Sequence, residues 1–115
     1  MKVLIIGGGA REHAIAACFA RNCGPENITV APGNAGIARE YNCVDIKTPS
    51  SLVQWCSVHT PDLVFFGPEQ PLAEGWADLL RSEGVACIGP SRAAARIETS
   101  KIFSKNLMRQ MNIPT

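Results

Sequence analysis

Charged side chains follow a glycine turn close to the amino terminus. Residues 3–6 are apolar and mostly β-branched, and they lead directly into Gly7, Gly8, Gly9, Ala10, Arg11, Glu12 and His13. This pattern predicts a buried parallel strand, a tight turn and the start of a helix. Backbone N–H groups in such a turn can approach an anion closely, and the positive end of the helix dipole faces the same place. The junction therefore predicts a phosphate-type binding turn.

The same glycines match the dinucleotide-binding fingerprint only in part. That fingerprint is G-x-G-x-x-G; Gly7 and Gly9 fill its first two places, but Glu12 stands in the third. The third glycine normally lets the helix pack closely on the strand. The acidic residue expected about 20 positions later for the ribose hydroxyls is also missing, because the next predicted strand leads into Pro32. A nicotinamide- or flavin-dependent oxidoreductase is therefore the less favoured interpretation.

Three more glycine turns follow predicted strands. Their candidate site residues are Gly33 and Asn34 after the second strand, Gly67, Pro68 and Glu69 after the fourth, and Pro90 and Ser91 after the fifth. In a parallel sheet all such turns lie at the carboxyl edge, where ligands of open α/β sheets bind. Ordinary turn chemistry also explains four glycine turns. A binding site is favoured because polar side chains recur in the same turns.

Several candidate side chains have a structural explanation beside the functional one. Arg11 could pair with a phosphate or lie in solvent. Glu12 suits the first turn of a helix through the dipole. His13 could bind a ligand, although a histidine at a helix start is more often a structural donor. Asn34 either adopts a left-handed conformation or points its amide at a ligand. Glu69 lies between two prolines, and a carboxylate held there suits ribose hydroxyls or an amine.

Strands alternate with helices along the predicted chain. The predicted strands are residues 2–6, 27–31, 43–45, 62–66 and 85–88, and the predicted helices are residues 12–23, 50–58, 72–83, 91–97 and 100–111. This alternation predicts an α/β fold, an open parallel five-stranded Rossmann-like sheet with helices on both faces. The last predicted helix carries Phe103, Leu107 and Met111 at four-residue spacing, an apolar face that covers this sheet or docks on another domain. Because the chain ends there without a polar tail, we expect it to be a piece of a longer protein.

Composition excludes several classes of protein. The 115 residues form one domain, and 46% hydrophobic with 18% charged residues is ordinary globular composition. A net charge of +1, without a stripe of basic residues, gives no indication of nucleic-acid binding. No stretch approaches the roughly 18 apolar residues of a membrane span. The five cysteines contain no C-x-x-C pair, so we expect reduced and mostly buried thiols in a cytoplasmic protein and no metal site.

Five sequence blocks together resemble a known family. These blocks are GGGAREHA, APGNAGIA, GPEQPLAEG, IGPSRAAARIE with a following S-K, and F-S-K-x-L-M before IPT. In this order they closely resemble the amino-terminal domain of the glycinamide ribonucleotide synthetases, also called phosphoribosylamine–glycine ligases. The resemblance covers essentially the whole chain, and family members continue into an ATP-grasp region and a carboxyl-terminal domain, which are absent here.

The resemblance implies a ligase of de novo purine synthesis. ATP would activate glycine as an acyl phosphate, and the amine of 5-phosphoribosylamine would attack it to give glycinamide ribonucleotide. ATP and Mg²⁺ would be held by the missing part, so this chain alone would bind no cofactor, contain no catalytic residue and be inactive. Residues 1–100 would form a pre-ATP-grasp domain that binds phosphoribosylamine, and residues 101–115 would begin the connection to the ATP-grasp region.

The resemblance also implies roles for the candidate residues. The Gly7–Gly9 turn and the start of the first helix would receive the 5-phosphate. Glu69 with Asn34 would hold ribose hydroxyls, Glu12 would orient the amine, and the turn at Pro90 and Ser91 would close the pocket. Lys105 matches a family lysine near the ATP phosphates, although a solvated face shared with Lys101 explains it equally well. The role is one of positioning, because proximity alone can supply ~7–11 kcal/mol of a barrier.

Two further interpretations stay open. The amino-terminal domain of a biotin carboxylase, or of another ATP-grasp purine enzyme, would share the fold but not GAREHA together with PGNAG. A non-catalytic interaction domain would instead use the apolar face of the last helix.

Overall fold

The computed structural model describes residues 1–88, with the backbone alone for residues 69 and 73. Five strands form one sheet in this part of the chain: β1 Val3–Gly7, β2 Ile28–Pro32, β3 Asn42–Cys43, β4 Leu63–Phe66 and β5 Cys87–Ile88. The helices between them are α1 Ala10–Cys23, a 3₁₀ turn Pro25–Asn27, α2 Ala35–Ala38, α3 Pro49–His59, α4 Glu69–Ala73 and α5 Trp76–Ser82. The predicted α/β fold with five strands is confirmed.

The sheet is parallel throughout, with the strand order β3-β2-β1-β4-β5. The chain therefore builds outward from β1 to β3 on one side and then returns to place β4 on the other side of β1. Ile6 lies opposite both Ala31 and Phe66, so that β1, β2 and β4 end level with one another. The space between the ends of β1 and β4 is the topological switch point, where open α/β sheets bind their ligands.

Alternation along the strands divides the core between the two faces of the sheet. On one face, Val3 and Ile5 pack with side chains of α1 and α2, including Ala16 and Ile37. On the other face, apolar side chains of β1 and β4 pack with those of α3, α4 and α5: Leu4, Ile6, Val64, Phe66, Leu52, Leu72, Trp76 and Leu80. Because burial of each such aliphatic side chain contributes about 1.5–3 kcal/mol, both faces hold the helices firmly. The predicted placement of helices on both faces is confirmed.

The helix predicted at residues 72–83 is two helices, and that prediction was wrong in its bounds. Gly75 has φ 84° and ψ 21°, a left-handed conformation that ends α4 before α5 begins. The first of the two also begins earlier than predicted, at Glu69, because a proline such as Pro71 is tolerated in the first turn of a helix. The four-residue helix α2 was not predicted at all, and α1 begins at Ala10 rather than at Glu12.

The cysteines differ in exposure. The prediction of mostly buried thiols was wrong, because Cys56 alone of the five is buried, Cys18 is exposed, and Cys23, Cys43 and Cys87 are partly exposed. Burial is the main cause that raises the pKa of Cys56 to about 11, and the neighbouring Cys87 is the second cause.

The predicted helices 91–97 and 100–111, with the apolar face of the second, lie outside the described residues. Within residues 1–88, no helix combines the length and the apolar character needed to cross a bilayer.

Alkylation with iodoacetamide at pH 8 is expected to label Cys18 long before Cys56 in the folded protein. The thiolate is the reactive form, and a thiol with a pKa of about 11 is ionised in only about one molecule in a thousand at pH 8. Peptide mass spectrometry over a time course measures both sites, and denatured protein, in which both react, is the control. Equal labelling of the two cysteines in the folded protein would contradict the burial of Cys56.

Candidate functional site

Three glycine turns meet at the carboxyl edge of the sheet. The Gly33 N–H donates to the Gly7 carbonyl at 3.1 Å, and the Gly67 N–H donates to the Ile6 carbonyl at 2.9 Å. The turns after β2 and β4 are therefore both bonded to the end of β1. The structure thus brings together the first three turns singled out in the sequence. Pro90 and Ser91 of the fourth turn, and Lys105, lie outside the described residues.

Glu12 fills the space between the ends of β1 and β4. Its side chain is only 6% exposed. A Cβ built on Gly67 would lie 2.7 Å from both Cγ and Oε1 of Glu12, and a Cβ on Gly7 would collide with the same atoms. Gly7 also has φ 138°, a conformation that residues with a side chain rarely adopt. A side chain at either position would therefore force the Glu12 side chain to move.

Asn34 joins the turn after β2 to the glycine turn after β1. Its Nδ2 donates to the Gly8 carbonyl at 2.8 Å, and its Oδ1 accepts from the Ile37 N–H at 2.9 Å. Asn34 is thus the N-cap of α2, with φ −152°, so the left-handed alternative for this residue was wrong. The backbones also touch directly, because a Cβ on Gly8 would lie 2.6 Å from the Gly33 carbonyl oxygen.

Arg11 reaches across the mouth of the same crevice. Its guanidinium donates a hydrogen bond to the carbonyl oxygen of Gly67, 56 positions further along the chain. The residue is exposed, so it lies at the rim rather than inside. A guanidinium has five N–H donors, and this bond occupies one of its nitrogens. Arg11 therefore ties the start of α1 to the turn that precedes α4 and places a positive charge at the rim.

His13 lies on a different side of α1 from the buried Glu12. Its Nε2 is 3.4 Å from Oε1 of Glu40, and its ring meets the Tyr41 ring edge-on at 6.2 Å between centroids. Burial, together with the Glu40 carboxylate, raises the pKa of the Tyr41 phenol. These partners follow α2, so the observed contacts of His13 join α1 to the connection between α2 and β3.

Glu69 begins α4 directly after Pro68, which is the N-cap of that helix. Its backbone therefore lies two positions after Gly67, whose carbonyl oxygen accepts the hydrogen bond from Arg11.

The sequence interpretation missed Cys43, whose Sγ occupies the place where a Cβ of Gly33 would lie. No local pattern could have revealed that contact, because it joins the turn after β2 to β3, ten positions further along the chain. Among residues 1–88, no group of three or more His, Cys, Asp or Glu is arranged to hold a metal ion.

A separate cleft lies at the opposite edge of the sheet. It has a volume of about 470 Å³ between α3 and α5, and its lining includes Pro61 and Asp62 before β4 and Val85 and Ala86 before β5. Ligands of open parallel sheets bind at the carboxyl ends of the strands, whereas this cleft lies at the amino ends. The crevice around Glu12 is therefore the candidate site.

The fold and the site together define an α/β domain of the Rossmann-like type, with its candidate site at the switch point of a parallel sheet. Residues 1–98 match the family described as phosphoribosylglycinamide synthetase, N domain. The chain belongs to this family.

Known proteins extend this similarity. A phosphoribosylamine–glycine ligase of Mycobacterium leprae is 45% identical over 117 residues, which cover 100% of this chain and 28% of the relative. The crystal structure of a phosphoribosylamine–glycine ligase of Thermotoga maritima matches with a TM-score of 0.65 and 28% identity, over 100% of this chain and 26% of that chain. The biotin carboxylase domain of a single-chain bacterial carboxylase matches with a TM-score of 0.63 and 14% identity, over 100% of this chain and 30% of that one. At 14% identity, the likeness to the biotin carboxylase domain shows the fold alone. The chain spans about 28% of the length of the curated relatives it matches.

Proposed function

We propose that this chain is the amino-terminal domain of an ATP-dependent ligase that joins glycine to 5-phosphoribosylamine. Family membership supports this proposal, as does the name phosphoribosylamine–glycine ligase carried by the relatives. The observation that carries it is the crevice between β1 and β4, where a buried carboxylate replaces the third glycine of a dinucleotide site. A carboxylate in this position makes the crevice poorly suited to a dinucleotide, whereas the backbone N–H groups at the start of α1 still suit a phosphate.

The proposed reaction has two stages. ATP, with Mg²⁺, activates the glycine carboxylate as an acyl phosphate, and the amine of 5-phosphoribosylamine then displaces phosphate to form the amide of glycinamide ribonucleotide. The nucleotide and the metal ion would be held by an ATP-grasp region, to which residues 101–115 begin the connection. Residues 1–100 would present the amine, which is a contribution of proximity rather than of acid–base chemistry. Cytoplasmic localisation belongs to the same proposal.

The glycine turn would receive the 5-phosphate. Gly9 is the N-cap of the 14-residue helix α1, and no side chain caps that helix end. The first N–H groups of a helix point outward and carry the positive end of its dipole, an arrangement that favours a phosphate. Gly8 and Gly9 are more exposed than Gly7, so the phosphate would lie at the outer part of the turn.

Ribose hydroxyls would be held by Glu69 with Asn34. Each polar atom of the Asn34 side chain already makes one hydrogen bond, and an amide retains one further N–H and one further lone pair. Gly33, Gly67 and Pro68 would shape the pocket through their backbones. His13, Pro90 and Ser91 would complete the phosphoribosylamine site, and Lys105 would lie near the ATP phosphates.

A direct test is the titration of the complete protein with ribose 5-phosphate, NADH and ATP in separate calorimetric experiments. We expect saturable binding of ribose 5-phosphate and no binding of NADH, because Glu12 fills the crevice that a pyrophosphate would enter. A thermal-shift measurement supplies a second readout, since ligand at 100 times its Kd stabilises by about 2.7 kcal/mol. Binding of NADH without binding of ribose 5-phosphate would exclude the ligase in favour of an oxidoreductase.

A further inference from the structure

The cleft at the amino edge of the sheet lies where two helices end. On one side its lining includes Ser57 in the last turn of α3 and Thr60, the C-cap of that helix. On the other side it includes Leu80 and Glu83, and Glu83 is the C-cap of α5. Helices that connect parallel strands run opposite to those strands, so their carboxyl ends collect at this edge. The cleft is therefore separate from the glycine turns and meets the opposite end of the helix dipoles.

Backbone and side chains both give this cleft a negative potential. The carboxyl end of a helix carries the negative end of its dipole, and its last carbonyl groups lack helical partners. Pro61 stands four residues after Ser57 and has no N–H, so the Ser57 carbonyl accepts no helical hydrogen bond. Asp62 and Glu83 add two carboxylates to the lining. The cleft therefore favours a positively charged ligand.

Both carboxylates have oxygen atoms available to a ligand. Oδ2 of Asp62 accepts a hydrogen bond from the Lys2 N–H at 2.8 Å, which orients the side chain and leaves Oδ1 available. Within residues 1–88, Glu83 makes no side-chain hydrogen bond and no ion pair. A ligand that carries a cation can therefore pair with either carboxylate without displacing a partner that the protein supplies.

Basic side chains do not neutralise this lining. Among the residues that the structure describes, none of those lining the cleft is lysine, arginine or histidine. Arg81 of α5 instead lies 3.8 Å from Asp78, measured from Nη1 to Oδ1. The His59 ring at the end of α3 stacks on Trp55 at 4.2 Å between centroids and lines a different pocket. The two carboxylates of the cleft therefore keep their negative charge without a cation beside them in the lining.

The buried part of the lining is apolar. Leu80 is fully buried, and Val53 and Val85 are partly buried. Cys56 also belongs to the lining; it is 4% exposed, and its thiol has no hydrogen-bond partner within residues 1–88. The cleft volume of about 470 Å³ falls within the range of small-molecule sites, about 300–1,000 Å³. An apolar group of a ligand could therefore enter between the two helices.

We propose that this cleft is a second ligand site and that it binds a small organic cation with an apolar body. The positive group lies near Asp62 and Glu83, and the apolar body contacts Val53, Leu80 and Val85. A phosphate or another anion would meet like charge here. The two edges of the sheet thus select ligands of opposite charge.

NMR of the complete protein with ¹⁵N-labelled glycine tests this proposal. The probes are benzyltrimethylammonium and phenylmethanesulfonate, which share an apolar ring and carry opposite charges. Gly84 lines the cleft, and the Gly84→Ala variant identifies its amide signal by removing it. Gly7 and Gly67, at the opposite edge, are internal controls assigned through their own alanine variants. We expect the Gly84 signal to shift saturably with the cation, at about tenfold lower concentration than with the anion.

Substitution of the two carboxylates tests their role. We expect Asp62→Asn combined with Glu83→Gln to weaken the binding of benzyltrimethylammonium about five- to tenfold, because both opposite charges are removed. Asparagine retains an oxygen that accepts the hydrogen bond from the Lys2 N–H, so the fold is expected to be unaffected. Glu26→Gln is the matched control, because Glu26 is an exposed carboxylate before β2 and outside this cleft.

Three results would overturn the proposal. A Gly84 signal that shifts with neither probe would show that the cleft binds no such ligand, and one that shifts equally with both would show that charge is not selected. Shifts of Gly7 and Gly67 as large as that of Gly84 would show unspecific binding. Unchanged affinity of the double variant for the cation would remove the carboxylates from the site. All of these measurements are independent of ligase activity and of phosphoribosylamine binding.

Discussion

Replacing Gly7 with alanine is expected to lower the free energy of unfolding around β1 by about 2–4 kcal/mol, because two separate costs combine. The new Cβ would collide with the side chain of Glu12, and a φ of 138° is strained for any residue with a side chain. Amide hydrogen exchange of peptides covering β1 and β4 measures the effect in the complete protein. Each 1.4 kcal/mol of lost local stability appears there as roughly tenfold faster exchange.

Two companion variants separate the costs. Gly67→Ala would place a Cβ 2.7 Å from Glu12 without a positive φ, so it should cost about 1–3 kcal/mol through the collision alone. Gly84 has φ 80° and open space around its Cα, so Gly84→Ala isolates the backbone strain at about 1 kcal/mol. Adding Glu12→Ala should rescue most of the loss in Gly67→Ala and only part of it in Gly7→Ala. Wild-type exchange in Gly67→Ala, or a failure of that rescue, would show that Glu12 does not fill the crevice.

Replacing Glu69 with alanine is expected to lower kcat/KM for 5-phosphoribosylamine by about 10- to 100-fold in the complete ligase. Hydrogen bonds from sugar hydroxyls to a charged acceptor are worth about 1.5–3 kcal/mol, and this substitution removes the acceptor. The apparent affinities for glycine and ATP should change little, because those substrates are proposed to bind in another domain. Initial-rate kinetics with each substrate varied in turn provide the measurement.

Glu74→Ala is the matched control for this substitution. Glu74 is an exposed carboxylate at the end of the same helix, and its Oε1 accepts a hydrogen bond from Gln70 at 3.3 Å. It should leave all three substrates unaffected, because it lies at the far end of α4 from the Gly67 turn. Normal phosphoribosylamine kinetics in Glu69→Ala would remove Glu69 from the site.

The fold could be predicted wherever one physical signal dominated the local sequence. The apolar run at residues 3–6 predicts β1 because a strand buried on both faces admits few polar residues, and every residue of β1 is buried. The division between α4 and α5 was missed because helical periodicity continues through Gly75, and only the backbone conformation shows the break. Helix α2 was missed because four residues are too few to show a helical period.

The site was predictable in outline but not in its contacts. Parallel strands placed the turns at one edge, and the missing third glycine marked Glu12 as unusual. The packing of Glu12 against Gly67 joins residues 55 positions apart, and no local pattern encodes such a distance. The same holds for the bond from Arg11 to Gly67 and for the use of Asn34 as a helix cap. The individual roles of the candidate residues stay predictions.

The hydrogen bonds that tie the three turns to β1 have a consequence for the entropy of binding. The Gly33 and Gly67 amides and the Arg11 and Asn34 side chains already hold these turns to one another without any ligand. Flexible loops lose conformational freedom when they close on a ligand, and that loss weakens affinity. Here the turns lose most of their conformational freedom when the protein folds. A ligand with only a few hydrogen-bonding groups can therefore be held by a small number of contacts.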